Sequence, residues 1–225
     1  MRVTTLIWPA IDTAAIAAVQ TLAAAGTLQL NGTLSVPNAN IGLFVNNVSL
    51  IIPENTRIVT LTSANNLSAV NFTISGMSGG VAVSETIAGP NNNTVTTANF
   101  YSRINSITTS GAAAAVSAGI GATGFTNLFL HNYDASVFNV GFSTQVINGT
   151  GALTYTLYVS HSPLDGLAAN LWTAVSFSPI AGMTGATTSQ IANYTTPIKY
   201  SFINVTASSG TAVLAENILQ QGIRS

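Results

Sequence analysis

The sequence predicts an all-β protein: two β-sandwich or barrel-like domains preceded by an extended N-terminal arm. Three observations carry that expectation. From about Leu28 onward, short alternating runs are broken by turn residues roughly every 8 to 15 positions, the pattern of a sandwich or barrel. Charged residues make up only 5% of the chain while hydrophobic content stays ordinary at 47%, where a soluble domain usually carries about 25% charge. Thr, Ser, Asn, Gly and Ala fill the gap, which suits folded β-structure with a neutral, hydroxyl- and amide-covered surface rather than disorder. Finally, no apolar run reaches the roughly 18 to 20 residues of a membrane-spanning helix.

Residues 1–27 read as the arm. In "TLIWPA" Pro9 restricts Trp8 to extended space, and Leu6, Ile7, Trp8 and Pro9 form a candidate apolar anchor for assembly contacts. The following "DTAAIAAVQTLAAAG" admits a short helix, capped by Asp12 or Thr13 and closed by Gly26. A signal-peptide reading of the same stretch is disfavoured, because Pro9, Asp12 and Gln20 interrupt the apolar segment.

The first β domain is expected over residues 28–123. "TRIVTLTS" is one strand, and "AVNFTIS" is another with Val70, Phe72 and Ile74 on one face. "GMSGG" supplies a turn tolerant of positive φ, "VAVSETI" returns, "AGPNNN" turns again, and "TVTTANF" and "RINSITTS" complete the set. Glu85 stands out: alternation gives it the same face as Val81, Val83 and Ile87. As a structural corner, its carboxylate would accept hydrogen bonds from turn amides or hydroxyls, or pair with Arg57 or Arg103. The Gly/Ala-rich stretch Gly111–Gly124 is either an inter-domain linker or a strand of small residues allowing close approach.

The second β domain is expected over 124–225. "FNVGFSTQVI" aligns Phe138, Val140, Phe142 and Val146. "NGTG" follows as a turn, and "ALTYTLYVS" aligns Leu153, Tyr155, Leu157 and Val159, which together predict a hairpin. "LWTAVSFSP", "IKYSFINVTA" and "TAVLAENILQ" are further expected strands, the last two joined by "SSG".

Candidate chemistry is sparse. With no cysteine there is no disulfide, thiolate metal site or cysteine nucleophile. Arg2, Arg57, Arg103, Lys199 and Arg224 are scattered and make no phosphate-binding stripe, which argues against nucleic acid. His131, Asp134 and Ser136, or His161, Ser162 and Asp165, supply the residue types of a hydrolytic triad, but neither serine sits in a G-x-S-x-G elbow. His131, Asp134, His161 and Asp165 lack zincin or calcium-loop spacing. Tyr155, Tyr158, Trp172 and Tyr194 are candidates for an aromatic sugar-binding face, with core packing the competing role. No catalytic residue, metal ligand or cofactor is expected.

Across roughly residues 55–225, the texture of "FTISGMSGGVAVSETIAGP", "FYSRINSI", "SVFNVGFSTQVINGTGALTYTLYVSHSP", "PIKYSFINVTASSGTAVL" and "LQQG" resembles tailed-bacteriophage virion proteins. The likeness departs in "GMSGGVAV", which lacks the acidic turn residues of that hairpin. The resemblance implies a non-enzymatic structural protein on the particle exterior, made in the host cytoplasm without a signal peptide. A capsid decoration (cement) protein is the first expectation, with the major capsid protein and copies of itself as partners in a homo-oligomer, and no nucleic acid or membrane. The alternative is a tail or fibre-type accessory protein contributing to host attachment.

Overall fold

The structure is a computed structural model that describes residues 2–4, 8, 11–36, 48–50, 55–131, 139–148, 151–177, 181–210 and 212–220. Among the described residues it is mostly antiparallel β-structure. The strands are β1 (Arg2–Thr4), β2 (Asp12–Leu22), β3 (Gly26–Thr27), β4 (Ser35–Val36), β5 (Val48–Leu50), β6 (Asn55–Asn66), β7 (Asn71–Ser78), β8 (Val81–Ala88) and β9 (Asn91–Tyr101). They continue as β10 (Arg103–Thr109), β11 (Ala113–Thr126), β12 (Phe129–Leu130), β13 (Val140–Asn148), β14 (Leu153–Ser160), β15 (Gln190–Tyr194), β16 (Tyr200–Ser208) and β17 (Ala212–Gln220). Among the described residues a single α-helical turn, α1 (Trp172–Val175), interrupts the series. No helix among them is long and apolar enough to cross a membrane.

The chain divides into two compact units. The first comprises Ile11–Gly121 with Gly166–Asn170; the second comprises Met1–Ala10, Ala122–Asp165 and Leu171–Ser225. In the first unit one sheet runs β4-β5-β10-β7-β8, with β3 also on β10, and the facing strands run β2-β11-β6-β9. Phe72 and Ile74 of β7, Ile104 and Ile107 of β10, and Val59 and Leu61 of β6 fill one core with Ile16, Val116 and Ile120. Alternation fixes which side chains enter it. In β8 the half-buried Val81, Val83, Glu85 and Ile87 alternate with exposed Ala82, Ser84, Thr86 and Ala88. The β7–β8 hairpin closes through Gly79 (φ 56°) and Gly80 (φ 84°), two successive left-handed residues as a tight hairpin of this twist requires.

Within the stretch expected as an extended arm with a short helix, the described strands are built into sheets, and the segment expected as helix is extended. β1 pairs with β17, and Asp12–Leu22 is a strand paired with β11. Alanine is the best intrinsic helix former, but propensity is worth only tenths of a kcal/mol per residue and yields to tertiary context; here its small size is what packing uses. A Cβ on Gly119 would overlap the Asp12 carbonyl oxygen, so the two backbones approach closer than larger side chains permit. Asp12 still caps locally, its Oδ1 accepting from the Ala14 amide at 2.8 Å, but in an extended chain.

Of the two readings of Gly111–Gly124, the strand of small residues is the one observed. Ala113–Thr126 forms β11, whose residues through Gly121 belong to the first unit and the rest to the second.

In the second unit one sheet runs β1-β17-β13-β15. The opposing layer has β16 between β14 on one side and β12 with the end of β11 on the other. Val140 and Phe142 from one layer meet Leu153, Tyr155, Leu157 and Val159 from the other. The inward faces are those the alternation predicts; Phe138 lies outside the described residues. The expected β13–β14 hairpin, however, does not form. β13 pairs with β15 and β17, and β14 with β16, so the Asn-Gly connection joins two layers of a sandwich. The described part of "LWTAVSFSP", residues 171–177, is likewise not a strand. It forms α1, followed by a single bridge from Phe177 to Val159, because the Trp172 ring is drawn into an edge-on contact with Phe125 (5.8 Å) and a tilted one with Phe202 (5.4 Å).

Candidate interaction surfaces

Several residues singled out in the sequence are structural. Trp8 is 1% exposed, packs in the core of the second unit and donates its indole N–H to Ser208 Oγ at 3.0 Å. Its expected place as an outward anchor is therefore corrected: the large apolar ring is already satisfied within its own chain. Leu6, Ile7 and Pro9 lie outside the described residues. Of the tyrosine and tryptophan candidates for a sugar face, Tyr155 and Trp172 are buried, and Tyr158 stacks on Phe202 with ring centroids 5.3 Å apart.

Glu85 sits where one edge of the first unit's sandwich meets the other layer. Its Oε1 accepts from the Ala98 amide at 2.7 Å and its Oε2 from the Asn99 amide at 2.8 Å. Both amides belong to a bulge in β9, where register passes from Ile58↔Phe100 to Thr60↔Thr96. Thr97 completes the bulge, its hydroxyl accepting from the Val59 amide and donating to the Asn99 carbonyl. The carboxylate thus supplies acceptors to donors that the bulge removes from the ladder. Arg57 directs Nε to the Gly121 carbonyl at 2.9 Å, and its Nη2 bonds the same oxygen; burial lowers its pKa to about 9.

The histidines lie in unlike settings. His131 is buried between Phe129 and Phe142, its Nε2 shares a 2.8 Å hydrogen bond with Ser201 Oγ, and burial lowers its pKa to about 4. That is a core histidine kept neutral. Asp134 and Ser136 lie outside the described residues. His161 is exposed beside Phe177, while Asp165 accepts the Tyr200 hydroxyl, which burial first and then Asp165 push up to about 12. No cluster of three potential metal ligands occurs among the described residues.

The alternation that singles out Glu85 also applies to Glu216, which shares the inward face of β17 with Leu214 and Ile218. It is paired in register with Thr144 of β13, and burial raises it to about 7. Its neighbourhood includes Tyr155, whose hydroxyl shares a 2.5 Å hydrogen bond with Thr144.

Among the described residues, two exposed sheet faces stand out. In the first unit the pairings Thr27↔Thr108, Thr108↔Thr73 and Thr73↔Thr86 set four threonines in one row across β3, β10, β7 and β8. Beside it runs a row of Ser106, Ser75 and Ser84. At about 4.8 Å per strand the threonine row spans about 14 Å. Thr73 and Thr86 hydroxyls lie 2.8 Å apart and those of Ser75 and Ser84 3.0 Å apart, so each pair is pre-ordered and presents further donors and acceptors outward.

The outer face of the β13, β15 and β17 strands is different in kind. Gly141 lies opposite Asn193 on one side and Leu219 on the other, and Ser143 opposite Ile191. The missing side chain at Gly141 leaves an open cavity of about 430 Å³ flanked by Ile191 (82% exposed) and Leu219 (51% exposed). Neither face carries a formal charge at these positions. No protein-family model matches the chain, and no curated protein matches its sequence.

Proposed function

We propose that this chain is a non-enzymatic structural component of a tailed-bacteriophage particle, a capsid decoration protein that stabilises the shell through contacts with the major capsid protein and with its own copies. The observation that supports the reading most is the pair of uncharged, ordered sheet faces on β-sandwich units. An uncharged face associates without repelling its neighbour or stripping ions of water. The hydroxyl rows offer hydrogen bonds already held in register, and the Ile191–Leu219 face offers apolar area around a recess. The sequence resemblance to virion proteins points the same way.

The recess gives a test. A Cβ on Gly141 would meet Asn193 Oδ1 at 3.4 Å and Leu219 Cβ at 3.6 Å, ordinary contacts that leave the fold intact. Gly141→Leu fills the recess from within. The wild-type chain is expected to co-sediment with particles stripped of decoration protein and to raise their melting temperature. Gly141→Leu, with an unchanged melting temperature of its own, is expected to bind at least tenfold more weakly. Failure of the wild-type chain to bind stripped particles or empty shells would overturn the reading.

A further inference from the structure

We propose that the cavity bounded by His161, Pro163, Pro197, Ile198 and Lys199 in the second unit is a binding site for a small carboxylate carried on a ring. This goes beyond the assembly role and is independent of it. The cavity measures about 420 Å³, within the range of small-molecule sites. Charge is scarce in this chain: five Lys and Arg and two His make seven basic side chains among 225 residues. Two of the seven, His161 and Lys199, line this one cavity.

The frame around them is rigid. Lys199 donates its amide to the Ser160 carbonyl at 2.9 Å and accepts the His131 amide on its own carbonyl at 2.8 Å. Its Nζ lies 5.3 Å from the Tyr200 ring centroid, and Tyr200 is in turn tied to Asp165. On the other side, Ser160 Oγ accepts from the Ser162 amide at 3.2 Å and donates to the Ser162 carbonyl at 3.1 Å, fixing the turn that carries His161. Pro163 and Pro197 have locked φ angles and little conformational freedom to lose on binding.

The lining chemistry selects the ligand class. A lysine ammonium and an imidazole N–H both donate to an anion. Pro163, Pro197 and Ile198 offer apolar walls suited to the C–H or π face of a ring. Phe177 stands beside His161, ring centroids 6.1 Å apart, and is 62% exposed. An acidic sugar and an aromatic acid share the required features.

The test is an amide-resolved NMR titration of the full chain with sodium glucuronate and with sodium benzoate. Methyl glucoside, benzyl alcohol and inorganic phosphate serve as controls. Saturable shifts confined to His161, Ile198 and Lys199 with at least one acid are expected, and which acid produces them identifies the source of the ring. Lys199→Met is expected to weaken that binding at least tenfold. His161→Gln, at an exposed turn position that leaves the fold undisturbed, is expected to weaken it several-fold. The proposal fails if neither acid saturates, if a neutral analogue or phosphate binds as tightly as the acid, or if both variants keep wild-type affinity.

Discussion

Replacing Glu85 with alanine removes the acceptor for two backbone amides at once. In the wild type those bonds measure 2.7 and 2.8 Å and hold the β9 bulge against β8. Hydrogen bonds to a charged group contribute about 1.5–3 kcal/mol each when buried. Here the Ala98 amide is exposed and regains water in the variant, while the Asn99 amide is half-buried. We therefore discount each bond to about 1 kcal/mol, for a total near 2 kcal/mol. For a chain of this length each kcal/mol shifts the melting temperature by about 2–4 °C, so the expected fall is about 4–8 °C. Differential scanning calorimetry measures it directly. Glu85→Gln should lie between the two, since the amide oxygen still accepts from one N–H while its NH₂ faces the other. A melting temperature within about 1 °C of wild type for Glu85→Ala would mean that the bulge is stable without the carboxylate and that the two bonds contribute nothing.

Gly119→Ala drives a Cβ into the Asp12 carbonyl and forces β2 away from β11; a loss of about 3 kcal/mol in urea unfolding is expected, and a change under about 0.5 kcal/mol would show that the strands separate freely. The buried ionisable groups of the second unit should shape its pH dependence. Glu216 is raised from 4.5 to about 7, so its contribution is fully present below pH 4.5 and is lost as pH rises through 7, a change of about 3 kcal/mol. His131 is lowered from 6.5 to about 4, so its contribution is present above pH 6.5 and is lost as pH falls through 4. The two slopes oppose each other between about pH 4.5 and 6.5 and flatten the wild-type profile. Glu216→Gln should unmask the histidine slope, stability rising from pH 4 to 6.5, and should gain on wild type toward pH 8; parallel profiles for the two proteins would contradict this.

The strand faces are legible in the amino-acid sequence. Phe72 and Ile74, Val140 and Phe142, and the series Leu153, Tyr155, Leu157 and Val159 point inward as their alternation requires, because the two-residue period is a property of the extended backbone itself. The glycine pair of the β7–β8 turn is legible for a similar reason: positive φ at both positions is a local demand that glycine meets. Glu85 declares itself by sitting on an apolar face, and Glu216 carries the same signal on β17 between Leu214 and Ile218.

Pairing is another matter. The Asn-Gly turn after β13 fits a hairpin as well as it fits a crossing between layers, since both place the two apolar faces against one core. Which strand lies beside which depends on β17 and β15 competing for the edges of β13, a contact between residues about 50 to 80 positions apart. The Ala-rich β2 shows the same limit, because even alanine's helical propensity is small per residue and yields to a neighbour that accepts only small side chains. The exposed faces depend on these pairings too: four threonines become one row only when β3, β10, β7 and β8 assemble in register. By itself the sequence determined an uncharged β-protein and the inward face of most of its strands, because those follow from composition and backbone period. Tertiary structure alone decided the neighbours of each strand, the burial of Trp8 and the convergence of His161 and Lys199, because each depends on contacts between distant parts of the chain.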